Sequence, residues 1–270
     1  MATIAYRIRS RARKSGEWLQ GWFRAHVTLP LHRLLRRPLH DVSLFQRRIP
    51  FIERREYSQN GEDGIIHAIF AMIETTNRFY VEFGVEDGIE CNTHALLKQG
   101  WSGLLLDGSH DDASLNLHRA FITAENIESL FAAHGVPASF DLLSIDIDGN
   151  DYWVWKAITR FRPRVVVIEY NGCLPCEPPV TVPYRPDFAW DKTDYYGASL
   201  SALAVLGKEK GYTLIGTDRN GVNAFFVLDE LIPGHFTPSS PAALYHPAAF
   251  KGKKGNKHPP DPQHRPWQKI

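Results

Sequence analysis

Four acidic or glycine-bearing segments fall in order along the chain, and each follows a short apolar run. The first is Tyr80-Val-Glu-Phe-Gly-Val-Glu-Asp-Gly88. Gly84 and Gly88 let the backbone bend sharply and approach a ligand with no Cβ in the way. Glu82, Glu86 and Asp87 make that bend acidic. Carboxylates there would repel a pyrophosphate but could receive an ammonium. The Glu-x-Gly-x-x-x-Gly spacing also differs from the Gly-x-Gly-x-x-Gly of dinucleotide sites. S-adenosylmethionine, with an ammonium, a sulfonium and no phosphate, meets this requirement. A plain glycine turn is the simpler alternative.

The second segment is Leu104-Leu-Leu-Asp-Gly108, in which Asp107 lies 23 residues after Gly84. An acid at the end of a second strand, about 20 residues past a glycine turn, can accept both ribose hydroxyls. Asp107 with Gly108 is therefore the expected ribose corner, and a helix N-cap is the alternative. The third is Thr123-Ala-Glu-Asn126, where Glu125 could reach an adenine edge or cap the following helix. The fourth is Ser144-Ile-Asp-Ile-Asp-Gly-Asn-Asp151, followed by Tyr152-Trp153. Asp146 and Asp148, with Glu169 or Asn171 from the next strand, offer hard oxygen ligands for Mg²⁺. Alternatively Asp148 is a general base, or Asp146 contacts the cofactor.

These residues need a scaffold that ends several strands at one edge. Apolar or β-branched runs at Arg78–Phe83, Gly103–Leu106, Ala120–Thr123, Asp141–Ile145, Arg164–Tyr170, Tyr212–Ile215 and Asn223–Leu228 read as strands. Helix-like stretches at Glu90–Gln99, Asp111–Arg119, Glu125–His134, Asp151–Thr159 and Ser199–Lys210 separate most of them. Such alternation predicts an α/β, Rossmann-like, mostly parallel sheet with helices on both faces. The last two strands are joined by Thr217–Val222, too short for a crossover, so they form an antiparallel hairpin. Residues 171–196 interrupt the rhythm with Pro175, Pro178, Pro179, Pro183 and Pro186 among Tyr184, Trp190, Tyr195 and Tyr196. A connection this long reads as an ordered lid.

The chain has 270 residues, 43% hydrophobic and 23% charged, enough for one sizeable core. Three cysteines, Cys91, Cys173 and Cys176, are too few for a disulfide framework and suggest a reducing compartment. No apolar run reaches the ~18 residues of a membrane span. The first 20 residues are Arg-rich without an apolar core, so no secretory signal is expected. The expected location is the cytoplasm.

The net charge of +1 hides a division. Residues 1–50 carry 11 Lys/Arg against Glu17 and Asp41, and residues 251–270 carry six against Asp261. That leaves 14 basic against 27 acidic residues in 51–250, a net of −13. An acidic body with basic ends is not a nucleic-acid groove. The expected organisation is a basic arm over 1–54, a catalytic domain over 55–232 with the lid inside it, and a poorly packed Pro/Lys/His-rich tail over 233–270. In the arm, Trp18, Leu19, Trp22, Phe23 and Val27 recur at helical spacing after a basic run. That pattern is compatible with an arm packed on the body or with an interfacial segment on the inner face of an anionic membrane. An organelle transit peptide is a third reading.

The ordered set of Glu82-x-Gly84-x-x-x-Gly88, Asp107 and Asp146-Ile-Asp-Gly149 resembles class I S-adenosylmethionine-dependent methyltransferases over about residues 55–230. Within these it is most similar to the FkbM-type group, associated with O-methylation of sugars and natural products. That group's Asp-x-Glu-Gly-x-Glu pattern reads here Asp146-Ile-Asp148-Gly149-Asn150-Asp151, and its frequent Glu-Pro after the second strand reads Asp107-Gly-Ser109. The segment Glu56-Tyr-Ser-Gln-Asn-Gly-Glu-Asp63 looks like a further feature of bacterial relatives linked to polysaccharide genes. From its spacing alone it is a loop with Asp63 as a capping acid.

The resemblance implies a seven-stranded methyltransferase sheet. It also implies methyl transfer to a hydroxyl of a sugar, glycan or glycosylated metabolite. The expected roles are Asp148 as base, Asp146 with Glu169 as the metal alternative, and Tyr170, Asn171, Trp190 and Tyr196 facing the acceptor. Two rivals come from other classes. Asp146-Ile-Asp148 mimics the Asp-x-Asp of metal-dependent glycosyltransferases, and a non-catalytic methyltransferase fold could serve as a membrane adaptor through the basic arm.

Overall fold

The computed structural model describes residues 43–250 and 255–270. The basic run and the Trp18–Val27 pattern of the arm lie outside the described residues. Among the described residues, no helix is long and apolar enough to cross a membrane.

Seven strands form one sheet: β1 Phe79–Phe83, β2 Ser102–Asp107, β3 Leu117–Arg119, β4 Ser139–Ile145, β5 Arg162–Glu169, β7 Tyr212–Thr217 and β8 Asn223–Leu228. Their spatial order is β3-β2-β1-β4-β5-β8-β7. The first five are mutually parallel, and β8 runs antiparallel to both β5 and β7. A second, two-stranded antiparallel sheet pairs β6 Val180–Thr181 with β9 Gln268–Lys269. The molecule is thus α/β with a mostly parallel mixed sheet.

The sheet is apolar because helices cover both faces. Val165, Val166, Val167 and Ile168 are fully buried, as a doubly covered parallel strand requires. Alternate residues point to opposite faces. Val81, Phe83, Leu104, Leu106, Leu143 and Val166 face one core, against Phe131 of α4 (Ile127–Ala133), Trp155 of α5 (Asp151–Ala157) and Leu203 of α6 (Leu200–Glu209). Tyr80, Leu105, Leu142, Val165 and Val167 face the other. There they meet α1 (Ser43–Ile52), α2 (Glu62–Ile73) and Leu96 of α3 (His94–Lys98).

The segment expected as a helix over 111–119 and the tail expected to be poorly packed depart from expectation, whereas the described end of the arm follows the reading in which it packs on the body. Residues 111–119 are not a helix: Asp112 Oδ1 accepts from the Ser114 backbone N–H (2.8 Å) and the Ser114 hydroxyl (2.7 Å). Asn116 then adopts φ 53° and donates through Nδ2 to the Gly103 carbonyl at 2.6 Å. The third strand therefore begins at Leu117, ahead of Ala120–Thr123. The part of the arm that is described is packed: Phe45, Ile49 and Ile52 of α1 are buried, and the Phe45 ring lies edge-on to Phe236 at 5.2 Å.

The tail is packed as well. Besides pairing β9 with β6, it buries Leu244 of α7 (Pro241–Leu244), Ala248 and Asp261. It is fastened to the lid by Arg265, whose Nη2 reaches Asp191 at 2.6 Å, and by the Tyr195 hydroxyl, which donates to the Pro266 carbonyl at 2.8 Å.

Candidate active site

The strand order reverses between β1 and β4, the place where open parallel sheets bind ligands beyond their carboxyl ends. A cleft of about 1490 Å³ opens there. Single-ligand pockets run to roughly 1,000 Å³, so this one has room for two partners side by side. Gly84, Glu86, Asp107, Gly108, Asp146, Asp148 and Glu169 all line it.

Gly84 follows β1 at φ 78°, and a Cβ on it would lie 1.3 Å from the Asp146 carbonyl oxygen. The close approach of the β4 end therefore requires a glycine here. Gly88 has a different role from the one expected. It is buried away from the cleft, where a Cβ would meet Leu105 and Leu115 at 3.2 Å. Its carbonyl accepts from His94 Nδ1 at 2.9 Å, so it secures the chain entering α3.

Glu82 also departs from its expected contact with a cofactor. It does not line the cleft, and its carboxylate is filled by the protein. Oε1 accepts from the Asn92 N–H (2.9 Å) and the Ser144 hydroxyl (3.1 Å). Oε2 accepts from the Thr93 N–H (2.9 Å) and hydroxyl (2.6 Å). Burial pushes this carboxyl up, and the bonds from Thr93, Asn92 and Ser144 offset that only in part. Glu82 is the hub that fixes residues 91–93 behind the cleft. Nothing in the spacing singled out Asn92 or Thr93.

Asp107 sits at the cleft on the end of β2. Oδ1 takes the Ser109 N–H (2.8 Å) and hydroxyl (2.9 Å), the His110 N–H (3.1 Å) and a contact from His110 Nδ1 at 3.1 Å. Oδ2 takes only the Glu86 N–H, at 2.9 Å. Burial pushes this carboxyl up, but the donors on Ser109, His110 and Glu86 outweigh it and hold the group below its ordinary value. Asp107 is therefore an ionised, oriented carboxylate. A carboxylate offers about four acceptor sites in all, so Oδ2 retains capacity for a ligand hydroxyl.

At the third corner the wall is Ala120, Phe121 and Ile122, with Phe121 58% exposed. Glu125 does not line the cleft. Its carboxylate accepts from the Tyr184 hydroxyl at 2.5 Å, which ties the lid to the start of α4. Its side chain is thus turned to the lid, and Phe121 takes the cleft position.

Beyond β4 and β5, Asp146, Asp148 and Glu169 each place a carboxylate oxygen within 4.8 Å of the others. Asp151 shapes the loop between the first two by accepting the Ile147 N–H (2.9 Å) and the Gly149 N–H (2.8 Å). Asp148 adopts φ 55°, a conformation uncommon outside glycine. Burial and like charges push Asp146 and Glu169 well above the usual carboxylate range. Asp148 is more open to the cleft, but desolvation of its carboxyl there, with the charges of Asp151 and Glu86, pushes it up to about 6.

The aromatic wall differs most from expectation. Tyr170, Asn171, Trp190 and Tyr196 do not line the cleft. Tyr170 is buried and donates to the His246 carbonyl at 2.6 Å. Asn171 is buried and donates to the carbonyls of Asp194 and Tyr196, both at 2.8 Å. Trp190 binds the Thr193 carbonyl at 2.8 Å. These residues staple the lid together rather than face a ligand. The wall itself is Phe188, Phe250, Lys257, His258 and Pro259, mostly from the tail. Phe188 packs on Gly149, where a Cβ would be 2.3 Å from its ring. His258 is held among Trp190 (4.5 Å), Phe250 (4.5 Å) and Tyr196 (5.7 Å). Burial keeps its imidazole below the usual value, hence neutral near pH 7.

The entry segment supplies a further wall through Gln59, Asn60 and Gly61. Asp63 Oδ2 accepts the backbone N–H groups of Glu56, Tyr57 and Ser58 at 2.8–2.9 Å, so it ties the loop rather than capping α2. No protein-family model matches the chain, and no curated protein matches it in sequence.

Proposed function

We propose that the protein is an S-adenosylmethionine-dependent methyltransferase acting on a hydroxyl of a sugar, glycan or glycosylated metabolite. The observation that carries this reading is Asp107: an ionised carboxylate with open acceptor capacity, locked to the Gly84–Glu86 bend at the strand-order reversal. A seven-stranded sheet ending in an antiparallel hairpin agrees with the class I methyltransferase outline. The residues present suit the cofactor. Asp107 can accept ribose hydroxyls, the exposed Phe121 ring can cover a base, and the acidic bend can receive an ammonium while disfavouring a pyrophosphate.

Bound there, S-adenosylmethionine supplies a methyl group already activated on a sulfonium. The chain's task is to align an acceptor oxygen with it, exclude water and take up a proton. Alignment of this kind can be worth ~7–11 kcal/mol. The wall of Phe188, Phe250 and His258 offers flat faces suited to a sugar ring in the cleft that the carboxylates also line. A sugar hydroxyl holds its proton tightly, so a base must receive it. Asp148, open to the cleft and pushed up to about 6, has the properties for that role.

Calorimetry with S-adenosylhomocysteine tests the reading: binding without added metal is expected. Binding of UDP that requires Mn²⁺, with no affinity for S-adenosylhomocysteine, would favour a glycosyltransferase instead.

A further inference from the structure

The acids around the sheet are handled in two ways; of the three cleft carboxylates Glu169 is buried, Asp146 half-buried and Asp148 exposed. Glu82 receives four donors, Asp141 is paired with Arg164 and bonded to Thr76 and Arg78, and Asp151 takes two backbone N–H groups. Asp218 takes the Asn220 N–H at 2.8 Å and the Val222 N–H at 3.0 Å. Asp146, Asp148 and Glu169 receive none of this. Among the described residues, no hydrogen-bond donor and no Lys, Arg or His engages any of their carboxylates.

Glu169 shows the consequence most sharply. It is only 8% exposed, it lines the cleft, and its Oε2 is buried with no hydrogen-bond partner. A buried carboxylate without a partner is costly, and two further carboxylates within 4.8 Å raise that cost. A bound positive group would supply what all three lack.

We propose that Asp146, Asp148 and Glu169 form a binding site for one divalent cation of the Mg²⁺/Mn²⁺ class. The ligand set is all carboxylate oxygen, which suits hard cations and not zinc or copper. Three converging negative charges match a divalent ion better than an ammonium. Mg²⁺ keeps several waters and uses few protein carboxylates, and the cleft leaves one side of the cluster open for water or a ligand oxygen. The role of the cation rests on the methyl-transfer reading: taking the acceptor oxygen as a further ligand, it would lower that hydroxyl's hold on its proton, which would pass to water in the open cleft, with Asp148 then a ligand in place of the base. Its binding does not depend on that reading.

The test uses the full chain stripped with EDTA, with Mn²⁺ followed by calorimetry and by thermal melting. One Mn²⁺ should bind per chain and raise the melting temperature. Glu169→Gln and Asp146→Asn should each weaken binding roughly ten- to hundredfold. Asp87→Asn, on the same cleft but outside the cluster, should leave it unchanged. Glu169→Gln keeps the size of a side chain that has no hydrogen-bond partner on Oε2, so without metal it should melt no lower than wild type, which separates lost binding from lost folding. Absence of both heat and melting shift with millimolar Mn²⁺ overturns the proposal. So does unchanged Mn²⁺ affinity in Glu169→Gln, or a loss of S-adenosylhomocysteine binding there with Mn²⁺ binding intact, which would assign the cluster to the cofactor ammonium. Parallel titration with S-adenosylhomocysteine keeps the two readings apart. Its binding without any Mn²⁺ binding sinks the cation site alone, and the reverse sinks the methyltransferase reading alone.

Discussion

Glu86 donates its backbone N–H to Asp107 Oδ2 at 2.9 Å, so the bend after β1 and the end of β2 move as one piece. This bond crosses from the glycine turn to the acid at the end of β2. The acid expected to hold a ligand therefore also holds the loop beside it. Its other oxygen is taken up by Ser109 and His110, which leaves Oδ2 as the atom with acceptor capacity to spare.

Asp107→Ala should weaken S-adenosylhomocysteine binding by more than about tenfold. Hydrogen bonds to a charged group are worth about 1.5–3 kcal/mol, and each ~1.4 kcal/mol is a factor of ten in affinity. The turn over 107–110 loses its acceptor too, so the melt should be recorded alongside the calorimetry. Unchanged affinity in a folded variant would remove Asp107 from the site.

Glu82→Gln should behave in the opposite way. All four contacts of Glu82 are donors from the protein, and a glutamine amide must turn an NH₂ toward at least one of them. A loss of stability of about 1–3 kcal/mol follows from the unsatisfied donors. Ligand affinity of the folded fraction should change little. Denaturant melts with calorimetry on the same sample check this; a large affinity loss at full stability would mean that Glu82 touches the ligand after all.

The contrast between these two acids shows what the sequence could reveal. Parallel strands end where their apolar runs end, so Asp107, Asp146 and Glu169 were legible as residues at the carboxyl edge. Glu82 lies inside β1, two residues from Tyr80 and on the same side of the strand, so its side chain goes to a packed face. The third strand lies ahead of Ala120-Phe-Ile-Thr123, although that segment has stronger β-propensity than Leu117-His-Arg119. The turn at Asn116 and the pairing of Leu117 with Leu105 decide the matter, and both are tertiary. The wall of Lys257 and His258 was illegible for a similar reason. It depends on Arg265 meeting Asp191, 74 positions apart, which no local pattern announces.

Stability should fall as pH rises between about 6.5 and 8. Burial, with the charge of Glu62, pushes the Asp218 carboxyl up to about 8. The folded state therefore keeps a proton that the unfolded chain releases above ~4. The stability this provides is complete below that value and is lost as pH climbs to about 8, at a rate on the order of 1 kcal/mol per pH unit. Asp146 and Glu169, also pushed up by burial and like charges, act in the same sense. His246 and His258, held below their usual value by burial, act in the opposite sense, but only below ~6.5. Asp218→Asn isolates the effect: the difference in unfolding free energy between variant and wild type should shift in the variant's favour from pH 6.5 to 8. A pH-independent difference would show that Asp218 is already ionised in the folded protein.

Arg164→Met should be the most damaging single change away from the cleft. Arg164 Nη1 meets Asp141 at 2.8 Å and donates at 2.8 Å to the Glu74 carbonyl, while Nη2 donates at 2.9 Å to the Ile73 carbonyl. Asp141 is fully buried and also accepts from Thr76 and Arg78. The guanidinium thus joins β4 and β5 to the end of α2 at the edge of the sheet opposite the cleft. Removing it strands a buried carboxylate and two carbonyls, a loss of about 3–5 kcal/mol by analogy with other broken buried pairs. The double variant Arg164→Met/Asp141→Leu removes the orphaned charge and should recover part of that loss, as read from urea midpoints. If the single variant unfolds at the wild-type midpoint, the pair contributes nothing and the opposite edge is held by packing alone.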